Sequence, residues 1–452
     1  MNKLAQINKI YFIGIGGIGM SALARYFLAK GVNVSGYDKT VTPLTTALES
    51  EGIAIHYSED LSLAPMDADV VVYTPAIPAN HSELVYYQQH EFTVVKRSDI
   101  LQWITENSFN ICVAGTHGKT TVTSMIAHIL RHSGYGCNAF LGGIAANYNT
   151  NFWSHENNVV VVEADEYDRS FLKLFPNVAV ITSMDPDHLD IYGTAEEVEN
   201  AFVQFAHKVK EGGCLVTKLG LSRQQELHAA HEYTYDHQNA AADVHIKDLK
   251  VNKGSYYFTI VGKKWELTDM VLHMGGLHNI DNILAAVTVA KHIGISDGKI
   301  RTAVADFKGV RRRFEYALKT DQHIVIDDYA HHPEELNALI AGVKSIFPND
   351  QLTLVFQPHL FSRTKDQADA FALSLDKADE VILLPIYPAR ELPIEGVNSQ
   401  MLLQKMQLEK KQVLEKDAFL NYIKDTKPKL VVMAGAGDID ALVKQVKIIL
   451  EN

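Results

Sequence analysis

The stretch Val113-Ala-Gly-Thr-His-Gly-Lys-Thr-Thr121 constrains the fold more than any other part of the chain. The residues before it, 109–113, form an apolar run typical of a buried strand. After it, apolar residues recur at the spacing of an amphipathic helix, at Val122, Met125, Ile126, Ile129 and Leu130. Strand, glycine turn and helix form a phosphate-binding loop, whose backbone N–H groups and helix N-terminus face an anion. There Lys119 supplies a charge and the Thr120 hydroxyl can bind Mg²⁺.

The loop departs from the usual G-x-x-x-x-G-K-[ST] pattern. Position 113, where that pattern has glycine, is valine, and Gly115 stands further along. The alternative is a chance Gly-Lys-Thr in an ordinary loop. The flanking strand and helix favour a nucleotide site instead.

A second glycine turn lies near the N-terminus. A strand predicted over residues 9–14 leads into Gly14-Ile-Gly-Gly-Ile-Gly19, a helix follows, and the next strand ends at Asp38. This order, with an acid about 20 residues after the turn, is the dinucleotide-binding pattern. It predicts a diphosphate on the helix N-terminus and a hydroxyl or N–H on Asp38, without specifying NAD. A packing turn without a ligand and an NAD(P)-dependent oxidoreductase remain alternatives.

Polar residues also follow several later strands. Glu163-Ala-Asp-Glu166 comes directly after a run of valines, and an acid in that position, downstream of a phosphate loop, is expected to hold a metal. Because open α/β sheets bind ligands at the carboxyl ends of their strands, the other strand ends are candidate site residues too. These segments are 185–190 with His188, 327–333 with two aspartates and two histidines, and 357–364.

Strands and helices alternate along the 452 residues, which predicts an α/β protein with three tandem domains. We expect an N-terminal Rossmann-like domain over residues 1–107. A central phosphate-loop domain over 108–308 would contain a mixed sheet, because 247–267 resembles hairpins. A C-terminal Rossmann-like domain would occupy 309–452.

Composition limits the possible partners. The net charge of −12 gives no general attraction for nucleic acid or an anionic membrane, so local positive groups must hold any anionic ligand. Cys112, Cys137 and Cys214 form no C-x-x-C pair, which fits a reducing cytoplasm. No apolar stretch reaches the roughly 18 residues of a membrane span. We therefore expect a cytoplasmic protein, either a monomer or a weak homodimer.

Taken together, the motifs resemble the Mur ligase family of ATP-dependent amide-bond ligases over essentially the whole chain. The stretches that carry this resemblance are FIGIGGIGMS, GTHGKTT, EADE, DPDHLD, GLHNIDN, RRRFE, DDYAHHPEE and FQPHLFSRT. The resemblance implies ATP and Mg²⁺ as cofactors. His117 is typical of the branch that joins L-alanine to the lactyl carboxylate of UDP-N-acetylmuramate through an acyl phosphate. A murein tripeptide-recycling branch shares this histidine and is the alternative, and a non-catalytic nucleotide-binding switch is a third.

The resemblance also implies residue roles. The catalytic residues would be Lys119, His188 and Arg313. The ATP-binding residues would be Gly115, Thr116, His117, Gly118, Lys119, Thr120, Thr121, Asn279, Asn282, Arg313 and Asp328. The UDP-sugar-binding residues would be Gly14, Gly16, Gly17, Gly19, Asp38, Thr74 and Arg97. The amino-acid-binding residues would be His331, His359 and Arg363. The metal ligands would be Thr120, Glu163 and His188.

Some of these roles depend on the resemblance alone. By themselves, three successive arginines at 311–313 are usually a solvated charge run. Asn279 and Asn282 share a helix face and could either contact adenine or cap the helix. Some relatives have a carbamylated lysine near positions 200–204, where this chain has none. The base that deprotonates the amine is left open between His188 and His331.

Overall fold

The computed structural model describes residues 3–186, 189–252, 254–389 and 391–451. By its contacts the chain divides into two compact units. The first unit comprises Met1–Lys247, Thr259–Met270 and Asp281–Ala305. The second comprises Asp248–Phe258, Val271–Ile280 and Asp306–Asn452.

The first sheet of unit one is parallel and has the strand order β3-β2-β1-β4-β5. Its strands are β1 (Lys9–Ile13), β2 (Asn33–Tyr37), β3 (Ala54–His56), β4 (Val70–Tyr73) and β5 (Thr93–Lys96). The helices are α1 (Ile18–Ala29), α2 (Pro43–Ser50), α3 (Ser82–Gln89) and α4 (Arg97–Glu106), after a 3₁₀ turn at Lys3–Gln6. The strand order reverses at β1 and β4. That is the switch point where doubly wound sheets bind ligands.

The second sheet of unit one has the order β12-β11-β10-β6-β9-β7-β8. Its strands are β6 (Phe109–Ala114), β7 (Asn138–Ala145), β8 (Thr150–Trp153), β9 (Val159–Glu163), β10 (Val178–Ile181), β11 (Cys214–Lys218) and β12 (His231–Tyr235). The helices are α5 (Lys119–His132), α6 (Leu189–Tyr192) and α7 (Ala195–Ala206), with 3₁₀ segments Tyr167–Lys173 and Gln224–Glu226. Strand β8 runs antiparallel to β7, so the central sheet is mixed, as predicted, although its antiparallel strand is β8 and the strands predicted at 247–267 form a separate sheet.

Helix α1 joins the two sheets of unit one. The Arg25 guanidinium donates to Asn151 Oδ1 on β8 at 2.5 Å, and Asn151 Nδ2 donates to Ile18 O at 2.6 Å. The rings of Phe140 and Phe152 pack on Tyr26. The helix after the first glycine turn is therefore held against the β7-β8 hairpin.

A smaller sheet, β13-β14-β15, follows in the chain. It consists of β13 (His245–Asn252), β14 (Ser255–Gly262) and β15 (Trp265–Leu272), and helices α8 (Leu277–His292) and α9 (Asp297–Asp306) come next. The three strands predicted over 247–267 are present. The last of them runs on to Leu272, because Leu267, Met270 and Leu272 are buried and extend its apolar face.

The sheet of unit two has the order β16-β17-β21-β18-β19-β20. Its strands are β16 (Glu315–Lys319), β17 (Ile324–Asp328), β18 (Leu352–Phe356), β19 (Glu380–Leu383), β20 (Lys411–Val413) and β21 (Leu430–Ala434). The helices are α10 (Pro333–Ile346), α11 (Phe361–Asp366), α12 (Ala368–Leu375), α13 (Ser399–Lys405), α14 (Lys416–Thr426) and α15 (Asp440–Glu451). Only β16 is antiparallel to its neighbour among the pairings described.

The predicted α/β architecture is thus confirmed. Helices cover both faces of such parallel sheets, so the sequences of their strands are continuous apolar runs. Strand β9 is an example, since its valines are at most 4% exposed. All three cysteines are buried and free. Among the described residues, none of the helices has the length and apolarity needed to cross a bilayer.

Candidate active site

The phosphate loop is shaped by two glycines with positive φ. Gly115 has φ of +131° and Gly118, which caps α5, has φ of +81°. A Cβ on Gly115 would lie 2.0 Å from Thr182 Oγ1, so only glycine fits there. Val113 lies inside β6, buried and paired with Val180. The turn therefore begins after position 113, and valine suits a position that belongs to the strand.

The end of β10 braces this loop. Ser183 Oγ accepts a hydrogen bond from His117 N at 2.8 Å and lies 2.9 Å from Thr116 Oγ1. Thr182 Oγ1 donates to His117 O. The His117 ring is exposed, and its Nε2 lies 3.8 Å from Asp185. The backbone of the loop is thus fixed, while the imidazole faces solvent.

Two carboxylates of the segment 163–166 meet the start of α5. Lys119 Nζ donates to Glu166 Oε1 at 2.6 Å and Oε2 at 2.7 Å, and to Gly115 O at 2.8 Å. Thr120 Oγ1 donates to Glu163, with its two oxygens at 3.1 and 3.0 Å. Burial raises the pKa of Glu166, whereas the Lys119 ammonium lowers it.

Hydroxyl and carboxylate oxygens are the ligands that Mg²⁺ prefers, so Thr120 and Glu163 suit a magnesium ion beside bound phosphates. Gly142 makes room for this pair, because a Cβ there would lie 2.1 Å from Glu163 Oε2. The third predicted metal ligand, His188, lies outside the described residues.

The two predicted adenine-contact residues differ in their surroundings. Asn282 Oδ1 lies 2.8 Å from where a Cβ on Gly118 would be, so its amide lies against the phosphate loop. Asn279 is 1% exposed and donates to Gly275 O at 2.6 Å. Asn279 therefore ties the first turn of α8 to the preceding Gly275, a contact that is not a helix cap, whereas Asn282 lies beside the loop.

Three glycines of the Gly14–Gly19 turn lie beside other predicted UDP-sugar residues. Thr74 lies 3.3 Å from a Cβ placed on Gly14, and Arg97 Nη1 lies 2.7 Å from one placed on Gly19. Gly16 N donates to Asp38 Oδ2 at 2.7 Å. The structure thus brings these residues together at the switch point. Asp38 already accepts from the turn itself, a contact that sequence reasoning missed.

Arg97 connects this turn with the segment after β9. Its guanidinium lies 3.7 Å from the Asp165 carboxylate. Arg97, Asp165 and Glu163 line one cleft of unit one. A predicted UDP-sugar residue and a predicted metal ligand therefore line the same small cleft.

In unit two the three successive arginines have different surroundings. Arg312 is half-buried, has φ of +60° and donates to Gly435 O and Gly437 O. Arg311 pairs with Glu315 at 2.9 Å. Arg313 is exposed and stacks on Tyr329 at 5.5 Å. This arrangement suits Arg312 to a structural role, whereas Arg313 is more exposed than Arg312.

The two neighbouring aspartates at the end of β17 also differ. Asp328 accepts from Phe314 N at 2.7 Å and from Ala330 N at 2.8 Å, so it holds the arginine turn in place. Burial raises its pKa, whereas the bond from Phe314 N lowers it. Burial raises the pKa of Asp327 to about 7, with the nearby Arg312 opposing the shift.

The three predicted amino-acid-binding residues are brought together at the ends of β17 and β18. The rings of His331 and His359 are 6.2 Å apart, and Arg363 Nη1 lies 3.3 Å from His359 Nδ1. His331 Nδ1 lies 2.9 Å from Tyr329 O and 3.3 Å from Glu335. Burial lowers the pKa of His331 to about 4.

Sequence reasoning missed Asp165, Glu166 and Glu335 as members of these clusters. Asp165 and Glu166 lie within the EADE stretch, two and three residues after the predicted metal ligand Glu163, and this position was the available signal. Glu335 accepts from the backbone N–H of His331 and His332 as part of a capping box at the start of α10. A glutamate at the third helical position after a loop is the sequence signal for that contact.

Family models match most of the chain. "Mur ligase family, catalytic domain" matches residues 9–108, "Mur ligase middle domain" matches 113–290, and "Mur ligase, glutamate ligase domain" matches 312–437.

Individual relatives match along the whole length. The chain is 46% identical over 454 residues to a UDP-N-acetylmuramate–L-alanine ligase of Parabacteroides distasonis, covering 98% of each chain. The crystal structure of a UDP-N-acetylmuramate–alanine ligase from Thermotoga maritima has a TM-score of 0.81 at 28% identity and 98% coverage of each chain. A murein peptide ligase from Psychrobacter arcticus has a TM-score of 0.69 at 22% identity, covers 98% of this chain and 99% of its own, and shares the fold.

Proposed function

The chain belongs to the Mur ligase family, and we propose that it joins L-alanine to the lactyl carboxylate of UDP-N-acetylmuramate with ATP hydrolysed to ADP and phosphate. The observation that carries this proposal is the 46% identity, end to end, with a ligase of that name. The murein-recycling alternative has support from structures at lower identity, 22% in the example above. The ligase function also accounts for the phosphate loop at 113–121 and for the EADE segment, which an oxidoreductase leaves unexplained.

The first chemical step is the attack of the lactyl carboxylate on the γ-phosphorus of ATP. A carboxylate is a weak nucleophile that must approach a polyanion, so the site must neutralise charge. We assign this role to Lys119 on the phosphate loop and to Arg313. The Gly14–Gly19 turn with Asp38, Thr74 and Arg97 would hold UDP-N-acetylmuramate, since these residues lie together at the switch point of the first sheet.

Mg²⁺ belongs to this proposal because Thr120 and Glu163 provide oxygen ligands next to the phosphate loop. When bound, the ion would neutralise charge on the phosphates of ATP. The remaining phosphate contacts are assigned to the backbone of 115–118 and to Thr121, with Asn282 and Asn279 towards the adenine end and Asp328 holding the Arg313 turn. His188 keeps its assignment as a further metal ligand.

The acyl phosphate is then attacked by the amine of L-alanine, and phosphate leaves. We assign the alanine carboxylate to Arg363 and His359, since a guanidinium binds a carboxylate with two hydrogen bonds. With its pKa lowered to about 4, His331 is a poor acceptor for the proton of an alkylammonium group. We therefore propose that His331 orients the amino acid and does not serve as the base.

The domain division 1–107, 108–308 and 309–452 stays part of the proposal. It is supported by family models whose matches begin and end near those boundaries. We likewise propose a cytoplasmic monomer or weak homodimer that acts on small molecules and binds neither nucleic acid nor membrane. The net charge of −12 supports this reading.

The test is release of phosphate from ATP with UDP-N-acetylmuramate and each amino acid in turn. We expect turnover that requires both the UDP-sugar and L-alanine, and a Lys119→Ala variant that loses at least about 10²-fold in rate. Turnover only with the free tripeptide would indicate the murein-recycling activity instead. Phosphate release that ignores both acceptors would reject the ligase proposal.

A further inference from the structure

Glu166 is a buried carboxylate that the mechanism above does not use. We propose that it is a positioning residue that shares the Lys119 ammonium with the phosphates of ATP, lowering the affinity for bound nucleotide while raising the rate of phosphoryl transfer. This inference rests on the proposed function, which supplies the ligand of the phosphate loop.

The first step of the argument concerns the donors of Lys119. An ammonium group has three N–H donors and no acceptor. Three oxygens lie around Nζ, namely Glu166 Oε1 at 2.6 Å, Glu166 Oε2 at 2.7 Å and Gly115 O at 2.8 Å. These contacts use the full donor capacity. A phosphate oxygen can therefore bind Nζ only by replacing one of them.

The second step concerns which contact yields. Glu166 is 1% exposed, and its backbone carbonyl accepts from Tyr192 Oη at 2.6 Å and from Arg169 N at 2.9 Å. Its carboxylate is therefore enclosed by protein and pairs there with the Lys119 ammonium. Complete departure of Lys119 would leave a buried charge without its cation, which is strongly unfavourable. Lys119 hence keeps at least one Glu166 oxygen, and the donor that turns to the phosphate comes from the other Glu166 oxygen or from Gly115 O.

Two consequences follow from a shared ammonium. The negative charge of Glu166 offsets that of Lys119, so the attraction for the phosphates of bound ATP is reduced. The retained hydrogen bond also fixes the direction of the remaining donor, which is what stabilisation of developing charge requires. Loss of the carboxylate should therefore tighten the binding of nucleotide and, at the same time, slow turnover.

The experiment compares Glu166→Gln and Glu166→Asp with the control Asp168→Asn. The control removes the same charge from the same segment, and asparagine tolerates the φ of +54° at that position. The Kd of the β,γ-methylene analogue of ATP, with MgCl₂, is measured by calorimetry. The kcat is measured by phosphate release with all substrates, and the melting temperature of each variant is recorded.

For Glu166→Gln we expect the Kd to fall about tenfold, the scale of one charge-assisted interaction, and kcat to fall about 10²-fold. Glu166→Asp keeps the charge on a shorter side chain, so its Kd should stay near that of wild type, with kcat between those of wild type and the Gln variant. Asp168→Asn should change neither constant. If the Gln variant does not fold, an Asp variant with unchanged Kd and lowered kcat still supports the inference.

If the Glu166 variants bind the analogue more weakly, turn over more slowly and melt at a lower temperature, Glu166 has only a structural role. That result would overturn the inference. Unchanged Kd and kcat in Glu166→Gln would overturn it as well. Neither result touches the ligase proposal. A wild-type protein that fails to bind the ATP analogue would instead reject the proposed function itself.

Discussion

Gly115→Ala is the sharpest test of the phosphate loop, because the structure separates two costs of that methyl group. The backbone cost comes from φ of +131°, a region where a non-glycine residue loses about 1–3 kcal/mol. The steric cost comes from Thr182 Oγ1, only 2.0 Å from the new Cβ, and from Ser183 N at 2.8 Å. Both neighbours belong to the end of β10 that braces the loop.

Relief of that overlap must separate the loop from β10. The hydrogen bonds at risk join His117 and Thr116 to Ser183, and Thr182 to His117. Each contributes about 1 kcal/mol net. With the backbone cost, we expect Gly115→Ala to lower the free energy of unfolding by about 4–6 kcal/mol, a large share of the roughly 5–15 kcal/mol of a typical domain.

Gly134→Ala is the matched control. Gly134 also has positive φ, +75°, but a Cβ there meets nothing within 4 Å, so only the backbone cost of about 1–2 kcal/mol applies. Urea denaturation of both variants and calorimetric titration with an ATP analogue measure the difference. We expect Gly134→Ala to bind nucleotide normally and Gly115→Ala to lose binding. Equal stabilities and wild-type affinity in both variants would refute the account of the loop.

Three further predictions concern other parts of the site. Gly142→Ala places a methyl group 2.1 Å from Glu163 Oε2, so the Mg²⁺ concentration for half-maximal turnover should rise about tenfold; an unchanged Mg²⁺ titration would contradict this. Arg313→Ala should lower kcat about 10²-fold and leave the melting curve unchanged. Arg312→Ala should lower the melting temperature, because it removes the donors to two backbone carbonyls. The reverse pattern would show that the two arginines have exchanged roles. The pKa of His331 is lowered to about 4 from 6.5, so between these values the unfolded chain binds more protons and stability falls as pH decreases. His331→Gln should flatten that slope in urea midpoints measured from pH 7 to 4, and an unaltered slope would count against the buried neutral imidazole.

The α/β architecture and the positions of the two glycine loops could be predicted from the sequence. Buried parallel strands are continuous apolar runs, and helices have a 3.6-residue period, so both are visible in short windows. Strand β15 shows the limit, since its extension to Leu272 depends on what covers its apolar face. The valine at position 113 looked like a defect in the loop pattern, and its explanation needed the pairing of β6 with β10.

The roles of neighbouring residues of the same type could not be predicted from chain position. Arg312 and Arg313 are adjacent residues of the same type. They differ because Arg312 donates to the carbonyls of Gly435 and Gly437, which lie more than a hundred residues away in the chain. Asp165 and Glu166 are likewise adjacent acids, yet one faces Arg97 and the other Lys119.

The fold class, the two glycine turns and the strand ends where polar side chains collect are evident in the sequence, because they follow from local periodicity and from the φ range open to glycine. Which acid meets which cation in the segment 163–166 depends on the packing of distant parts of the chain. A side chain one position along a turn points in a different direction, and its partner comes from another part of the chain. The pairing of Lys119 with Glu166 is therefore a property of the packed structure, although both residues lie in motifs that the sequence displays.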